Sequence, residues 1–359
     1  MRVIIDLIAF SLQKSGGISV YWHEFMNRIL VQSDVDLLFI DENSHNENIF
    51  RTDLEIEGKR ILNNEVALVN LLSRYRDIDL KIRGSTFIFH STYYRTLSKV
   101  VKKRNNVKEI VTVHDFTYEY FSSGLKKIVH CHQKKKAIES ADIVICISEN
   151  TKRDLLHFYP EFSCKDIRVV YNGVSTDYFV LPELKNTQVM SPYFLFVGSR
   201  AGYKNFDFSV KCIAQTEKFS LKIVGYSLST KELEMLNALM PGRWEILTNM
   251  QNKSLNKLYN SAYALIYPSS YEGFGIPILE AMKTGCPFIA LNASSIPEVA
   301  DSAGVLIERL EIALFNEALI TIDSDREELI QKGFNRANEF SWDKSYTAIY
   351  NIYKELSNL

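Results

Sequence analysis

The sequence predicts an α/β protein made of two successive halves, each a parallel sheet covered by helices. Three observations predict it. Short apolar runs alternate with amphipathic stretches along the whole chain, the pattern of repeated strand–helix units. At 359 residues the chain is too long for one comfortable core and suits two domains. A segment near 178–192, ending LPELKNTQVMSP, carries two prolines and little periodicity before a fresh strand begins.

The elements follow in order. Val3–Phe10 reads as the first strand, followed by a loop holding Gly16 and Gly17 and a helix over Val20–Val31. Further strands are expected at Val35–Ile40, Phe87–Phe89, Glu109–Val113, Ile143–Ile147 and Ile167–Tyr171, with helices over Leu125–Ser140 and Glu149–Tyr159. The second half repeats the pattern with strands Tyr193–Val197, Leu221–Val224, Trp244–Leu247, Ala264–Tyr267, Phe288–Ala290 and Val305–Ile307. No short fixed period runs through the chain, which excludes a solenoid. Trp342, Tyr346, Ile349, Tyr350 and Tyr353 recur at helical spacing, so Ser341–Leu359 reads as a terminal helix packed on a core. The expected division is 1–180, 181–340 and this helix, 341–359, packing back toward the first half. Two such halves would set the carboxyl ends of two sheets facing a central cleft, the place where open α/β sheets bind ligands.

Hydrophobic residues make up 46% and charged residues 24%, the balance of a folded protein rather than a disordered one. The net charge of −1 gives no global field toward nucleic acid. Charge is uneven, however: Arg95–Lys136 holds eleven Lys/Arg against Glu109, Asp115 and Glu119. That excess suits either a solvated basic face or a patch meeting anionic lipid. The five cysteines are scattered with no C-x-x-C pair, as in a cytoplasmic protein with reduced thiols. The N-terminus lacks a signal-peptide cleavage site, and no stretch approaches the roughly 20 apolar residues of a membrane span. The expected location is the cytoplasm, with peripheral contact at the inner face of the membrane.

The chemistry concentrates in two segments. In "SSYEGFGIPILEAM" (269–282) Glu272 and Glu280 flank a Gly-Phe-Gly turn that enters a helix at Pro277. Gly273 and Gly275 allow a tight turn and a close backbone approach, and amides at a helix start suit a phosphate. Carboxylates only accept hydrogen bonds, so Glu280 suits a donor diol such as a ribose, and Glu272 the hydroxyls of a second ring. "FVGSRAGYKNF" (196–206) follows a predicted strand and supplies Arg200 and Lys204, two cations able to neutralise a diphosphate leaving group. Gly198 is not part of a P-loop, and Gly16-Gly17 is not a dinucleotide fingerprint.

Glu272–Glu280 as E-x7-E, with Arg200 and Lys204 in "GSRAGYKNF", resembles a family 4 retaining glycosyltransferase of the GT-B fold. "YNGVSTDYF" (171–179), "SSIPEVADSAGVLI" (294–307) and "FSWDKSYTAIYNIY" (340–353) resemble family stretches in the expected order. The resemblance implies that Arg200 and Lys204 bind the donor diphosphate and stabilise its departure. Glu280 would hold the ribose. Glu272, with the backbone of Gly273, Phe274, Gly275 and Ile276, would hold the transferred sugar. The Gly16-Gly17 loop would approach sugar and phosphate, and His114, in "TVHDF", matches a family histidine beside the reacting sugar. Retention of configuration with no protein nucleophile is implied as well. The phrasing around Arg200 is similar to mannosyltransferases of bacterial surface polysaccharide assembly, which makes GDP-mannose the first donor and a glycan or polyprenyl-diphosphate-linked glycan the acceptor.

"FHSTYYR" (89–95) follows another predicted strand, so His90, Tyr93, Tyr94 and Arg95 are expected to rim the acceptor site or to serve as ordinary packing. The strings Asp34-Val35-Asp36, Asp77-Ile78-Asp79 and Asp323-Ser324-Asp325 invite a metal, but none is expected to bind one, since Arg200 and Lys204 supply that charge. No cofactor is expected. His130, Cys131 and His132 are adjacent on a predicted helix, point about 100° apart, and cannot converge on one ion. Rival readings are a sugar-nucleotide epimerase or a phosphorylase on the same fold, and a silent nucleotide-sugar-binding protein.

Overall fold

The computed structural model describes residues 1–12, 14, 16–41, 48–54, 56, 61–62, 75–184 and 192–358. The chain divides into two compact units, Met1–Asn172 together with Trp342–Leu359, and Gly173–Ser341. The first carries strands β1 (Arg2–Asp6), β2 (Asp36–Ile40), β3 (Ile61–Leu62), β4 (Thr86–Ser91), β5 (Asn106–Val113), β6 (Ile143–Cys146) and β7 (Asp166–Val169). They form a parallel sheet in the order β3-β2-β1-β4-β5-β6-β7. The second carries β8 (Tyr193–Val197), β9 (Ser220–Val224), β10 (Trp244–Leu247), β11 (Ala264–Tyr267), β12 (Phe288–Leu291) and β13 (Val305–Ile307), ordered β10-β9-β8-β11-β12-β13. Both orders reverse direction after the first strand of the unit, which is the Rossmann arrangement. The reversals lie between β1 and β4 and between β8 and β11.

The strands read as continuous apolar runs because both faces of a parallel sheet are covered. In the second unit Phe194, Phe196, Leu221, Ile223, Ala264, Ile266 and Ile289 share one core with Phe206, Val210, Leu236 and Phe315 from helices. In the first, Ile4, Leu38, Ile40, Phe87 and Phe89 pack with Leu97 and Val101.

Two boundaries differ from expectation. The first strand stops at Asp6, and Ile8–Ser11 is a helical turn. Leu7 still donates to the Ile40 carbonyl, but the Ala9 amide turns to the Thr92 hydroxyl (3.1 Å), which ends the ladder. The division between units falls at Asn172/Gly173, ahead of position 180, because the following segment is tied to the helix Asn252–Ser261. The Phe179 amide donates to Asn256 (3.2 Å) and the Leu181 amide to Asn260 (2.7 Å).

The terminal helix, Trp342–Ser357, belongs to the first unit. Its buried face holds Trp342, Ser345, Tyr346, Ile349, Ile352, Tyr353 and Leu356. Tyr353 reaches His90 Nδ1 at 2.6 Å, Arg28 pairs with Asp343 at 2.7 Å, and Arg168 with Glu355 at 2.5 Å. Among the described residues, no helix is long and apolar enough to cross a membrane.

Candidate functional site

The site of the second unit forms where its strand order reverses. β8 and β11 are direct neighbours, so the loops leaving their carboxyl ends, 198–205 and 268–275, lie side by side. Their backbones are bonded together. The Ser270 amide donates to the Tyr203 carbonyl (2.8 Å), and Asn205 Nδ2 donates to the Pro268 carbonyl (2.8 Å) and the Ser270 hydroxyl (2.7 Å). Asn205 does this from a left-handed conformation (φ 50°), which asparagine tolerates better than most residues.

This brings Lys204 and Glu272 into an ion pair, Nζ to Oε1, although 67 residues separate them. Their side chains are only 15% and 11% exposed. The Lys204 ammonium also lies 5.4 Å from the Tyr203 ring centre and 5.7 Å from that of Tyr267. Glu272 is fixed through its backbone. Its amide donates to Ser294 Oγ (2.8 Å), and its carbonyl accepts from Ser294 (3.2 Å) and Ser295 (2.9 Å). Ser295 also donates to the Phe274 carbonyl (2.9 Å). Ser294 holds its place at φ 51°, a strained conformation for serine of the kind that clusters at functional sites.

Arg200 is clamped. Nε donates to Glu232 (2.7 Å), and Nη2 to the carbonyls of Tyr226 (2.9 Å) and Ser227 (2.7 Å), leaving the side chain 6% exposed. The Glu232 carboxylate also closes a capping box with Ser229 at the start of the helix Thr230–Leu239. Gly225 is needed in this socket, because a Cβ there would sit 2.6 Å from the Gly198 carbonyl oxygen and 3.3 Å from Arg200 Nη1.

The helix Ile276–Thr284 starts as the sequence predicts, with Pro277 in its first turn and Gly275 as the capping residue at φ 109°. Gly275, not Gly273, is the left-handed glycine of the turn. Glu280 stands one turn in and accepts from the Tyr259 hydroxyl (2.8 Å). Burial raises its carboxyl to about 7, against the opposing hydrogen bonds of Tyr259 and Tyr178. In the ligand-free protein this is a cost. The folded state binds the proton more tightly than the unfolded chain, so stability is lost as pH rises from about 4.5 to about 7. Glu280→Gln is therefore expected to raise the melting temperature at pH 8, corresponding to about 3 kcal/mol, and to change it much less at pH 5. Equal effects at both pH values would contradict the assignment.

In the first unit His114 follows β5, buried, with its ring edge-on to Tyr21 at 4.9 Å. Burial lowers its pKa to about 4, with Lys134 adding to the effect and Asp115 opposing it, so the imidazole is neutral at physiological pH. Its Nε2 is buried without a hydrogen bond. Gly16 caps the helix Gly17–Ile29 in extended backbone, and Gly17 has open space around its Cα.

The acceptor-rim expectation needs correction for three of its four residues. His90 is fully buried between Tyr353 and Thr112 (Nε2 to Oγ1, 2.9 Å), with its pKa lowered to about 3 by burial. Tyr94 is buried under Lys134, and Arg95 is buried with Asp6 at 4.0 Å. Only Tyr93 is partly open, and its hydroxyl bonds His130 Nε2 at 2.9 Å. A histidine next to the last residue of a strand faces the core as readily as the rim.

His130 and Cys131 do approach one acid. With Glu119 they offer ligand atoms within 4.8 Å of one another, while His132 is exposed. The buried Lys134 ammonium already occupies Glu119 at 2.8 Å, which disfavours a cation there. Each D-x-D string contributes an ordinary contact: Asp36 pairs with Arg2, Asp77 with Lys136, and Asp323 accepts from Tyr263. The basic run is largely internal bookkeeping of charge. Six of its eleven cations, Arg95, Lys102, Lys108, Lys134, Lys135 and Lys136, are in ion pairs.

Comparison with known families matches this architecture. Residues 15–178 match the family described as Glycosyltransferase Family 4, and residues 181–336 the one described as Glycosyl transferases group 1. The chain belongs to glycosyltransferase family 4. Among relatives, it is 26% identical to O-antigen chain mannosyltransferase B of Escherichia coli over 275 residues, covering 69% of this chain and 71% of that protein. Sucrose-phosphate synthase of Thermosynechococcus elongatus superposes with a TM-score of 0.78 at 15% identity, covering 99% of both chains. Anabaena HepE in complex with UDP-glucose gives 0.75 at 18% identity, covering 100% of both. This family 4 glycosyltransferase therefore has the GT-B fold. Sequence reasoning missed Ser294, Ser295, Glu232 and Tyr259. Only Glu232 carried a local signal, the Ser229-x-x-Glu232 capping pattern.

Proposed function

We propose that the enzyme transfers a mannosyl group from GDP-mannose to a glycan or polyprenyl-diphosphate-linked glycan of a bacterial surface polysaccharide, with retention and without a metal or other cofactor. The observation that carries the reading is the Lys204–Glu272 ion pair at the reversal point of the second sheet, with Arg200, held by Glu232, on the same loop as Lys204. Transfer breaks the bond from the anomeric carbon to a phosphate oxygen and forms one to an acceptor oxygen. The acceptor proton ends on the departing diphosphate. Negative charge grows on that leaving group, and two held cations stabilise it without reorganisation. We assign the diphosphate to Arg200 and Lys204 and the transferred sugar to Glu272 with the backbone of Gly273–Ile276. Glu280 takes the ribose. His114, a neutral imidazole able to donate to a sugar oxygen, and the Gly16-Gly17 loop keep the roles the resemblance implies.

Mannose is favoured by the likeness to an O-antigen mannosyltransferase. UDP-glucose is a second reading, favoured by the match to HepE in complex with it. A screen of nucleotide sugars by slow donor hydrolysis tests both. Release of free mannose with GDP supports the proposal, and glucose with UDP the alternative. Interconversion of sugars without release would mark an epimerase, and no turnover of any donor a silent binding protein.

Membrane contact is proposed for the exposed end of the region, where Tyr120, Phe121, Leu125 and Ile128 stand beside Lys126. Co-sedimentation with vesicles containing anionic lipid should fall with salt and on Leu125→Ser with Ile128→Ser. Sedimentation indifferent to anionic lipid content would refute the contact.

A further inference from the structure

The segment "YNGVSTDYF" is not used by the proposed site, yet it is pinned to one face of the helix Asn252–Ser261. Three asparagines at four-residue spacing hold it. Asn252 Nδ2 donates to Asp177 (2.8 Å), Asn256 accepts from the Phe179 amide (3.2 Å), and Asn260 accepts from the Leu181 amide (2.7 Å) while donating to the Phe179 carbonyl (2.9 Å). The residue so placed is Tyr178. Its ring meets that of Tyr259 edge-on, with centres 5.9 Å apart, and its hydroxyl, with one proton to give, is within reach of both Asn252 Oδ1 (3.3 Å) and the Glu280 carboxylate. Tyr259, fully buried on the same helix, donates to Glu280 Oε2 at 2.8 Å.

We infer that Tyr259 and Tyr178 are positioning residues that hold the Glu280 carboxylate in the orientation in which it receives the ribose diol of the donor. The inference rests on the proposed role of Glu280. An ionised carboxylate has about four lone-pair positions. Tyr259 fills one position on the protein side, Tyr178 fills a second when its proton turns from Asn252 to Glu280, and the others are left for a diol. Packing alone does not ask for this set. Phenylalanine at 259 and 178 over an apolar residue at 280 would fill the same space without burying a carboxyl and two hydroxyls. The titratable groups facing Glu280 are Tyr178 and Tyr259 and, from β11, Tyr267, all pushed well up, so Glu280 is the one that ionises near neutrality.

Calorimetric titration of the full chain with GDP, UDP and their 2′,3′-dideoxy forms tests it on wild type, Tyr259→Phe, Tyr178→Phe and Glu280→Gln. Tyr259→Phe is expected to weaken the preferred ribonucleotide about tenfold, as for loss of a hydrogen bond to a charged group. The dideoxy form should change less than twofold. Tyr178→Phe should act in the same direction, so the test stands even if one variant folds poorly. The midpoint of the pH dependence of ribonucleotide binding should also move up in Tyr259→Phe, because the lost hydrogen bond lowers the Glu280 pKa. Equal loss for ribo and dideoxy forms, or no loss in either tyrosine variant, would overturn the inference. A wild type showing no difference between ribo and dideoxy forms, or a Glu280→Gln variant keeping the wild-type difference, would instead overturn the role of Glu280 itself.

Discussion

Lys204→Met is expected to lower transfer by about 10²–10³-fold, the usual loss when one preorganised charge donor leaves a developing anion. Nucleoside diphosphate binding should weaken at least tenfold in the same variant. The effect is local. Lys204 sits in a short turn, Gly202–Lys204, anchored by Asn205 to the neighbouring loop, and those anchors do not use the lysine side chain. The variant should fold, losing about 1–2 kcal/mol because Glu272 loses its partner in a mostly closed pair. Steady-state rates with a thermal melt check both halves. A fall in rate that merely tracks a fall in melting temperature would sink the reading.

Glu272→Gln gives the second large effect, about 10²-fold or more on transfer, with the opposite signature in binding. The loop around it is held through the Glu272 amide and carbonyl by Ser294 and Ser295, so glutamine leaves its course unchanged. What changes is the charge opposite Lys204. With its counter-ion gone, the ammonium is freer to meet a diphosphate, so a nucleoside diphosphate lacking the sugar binds as well as before or tighter. The intact donor loses its sugar contact. A variant that transfers at the wild-type rate would remove Glu272 from the site.

Much of this arrangement is readable in the sequence, for definite reasons. Strands such as Phe194–Phe196 and Leu265–Tyr267 are buried on both faces, so they announce themselves as unbroken apolar runs. Gly275 and Pro277 mark the helix start by conformational need alone. β3 is a two-residue edge strand with too little pattern to find. The contacts that span the chain are also silent. Nothing near Tyr259 points to Glu280, and nothing near Ser294 points to Glu272, because such pairs are created by the parallel crossover between strands. The misplacement of His90 and Arg95 has the same origin. A polar residue at a strand end can face solvent or a buried partner, and here Tyr353 and Asp6 are those partners.

The division of labour between Lys204 and Glu272 is the central claim, and one titration series tests it. GDP and UDP are titrated into wild type, Lys204→Met and Glu272→Gln. The account predicts at least tenfold weaker binding of the preferred nucleotide in Lys204→Met, and undiminished or tighter binding in Glu272→Gln. Equal losses in the two variants would show the pair to be a structural bridge alone, and would contradict the account.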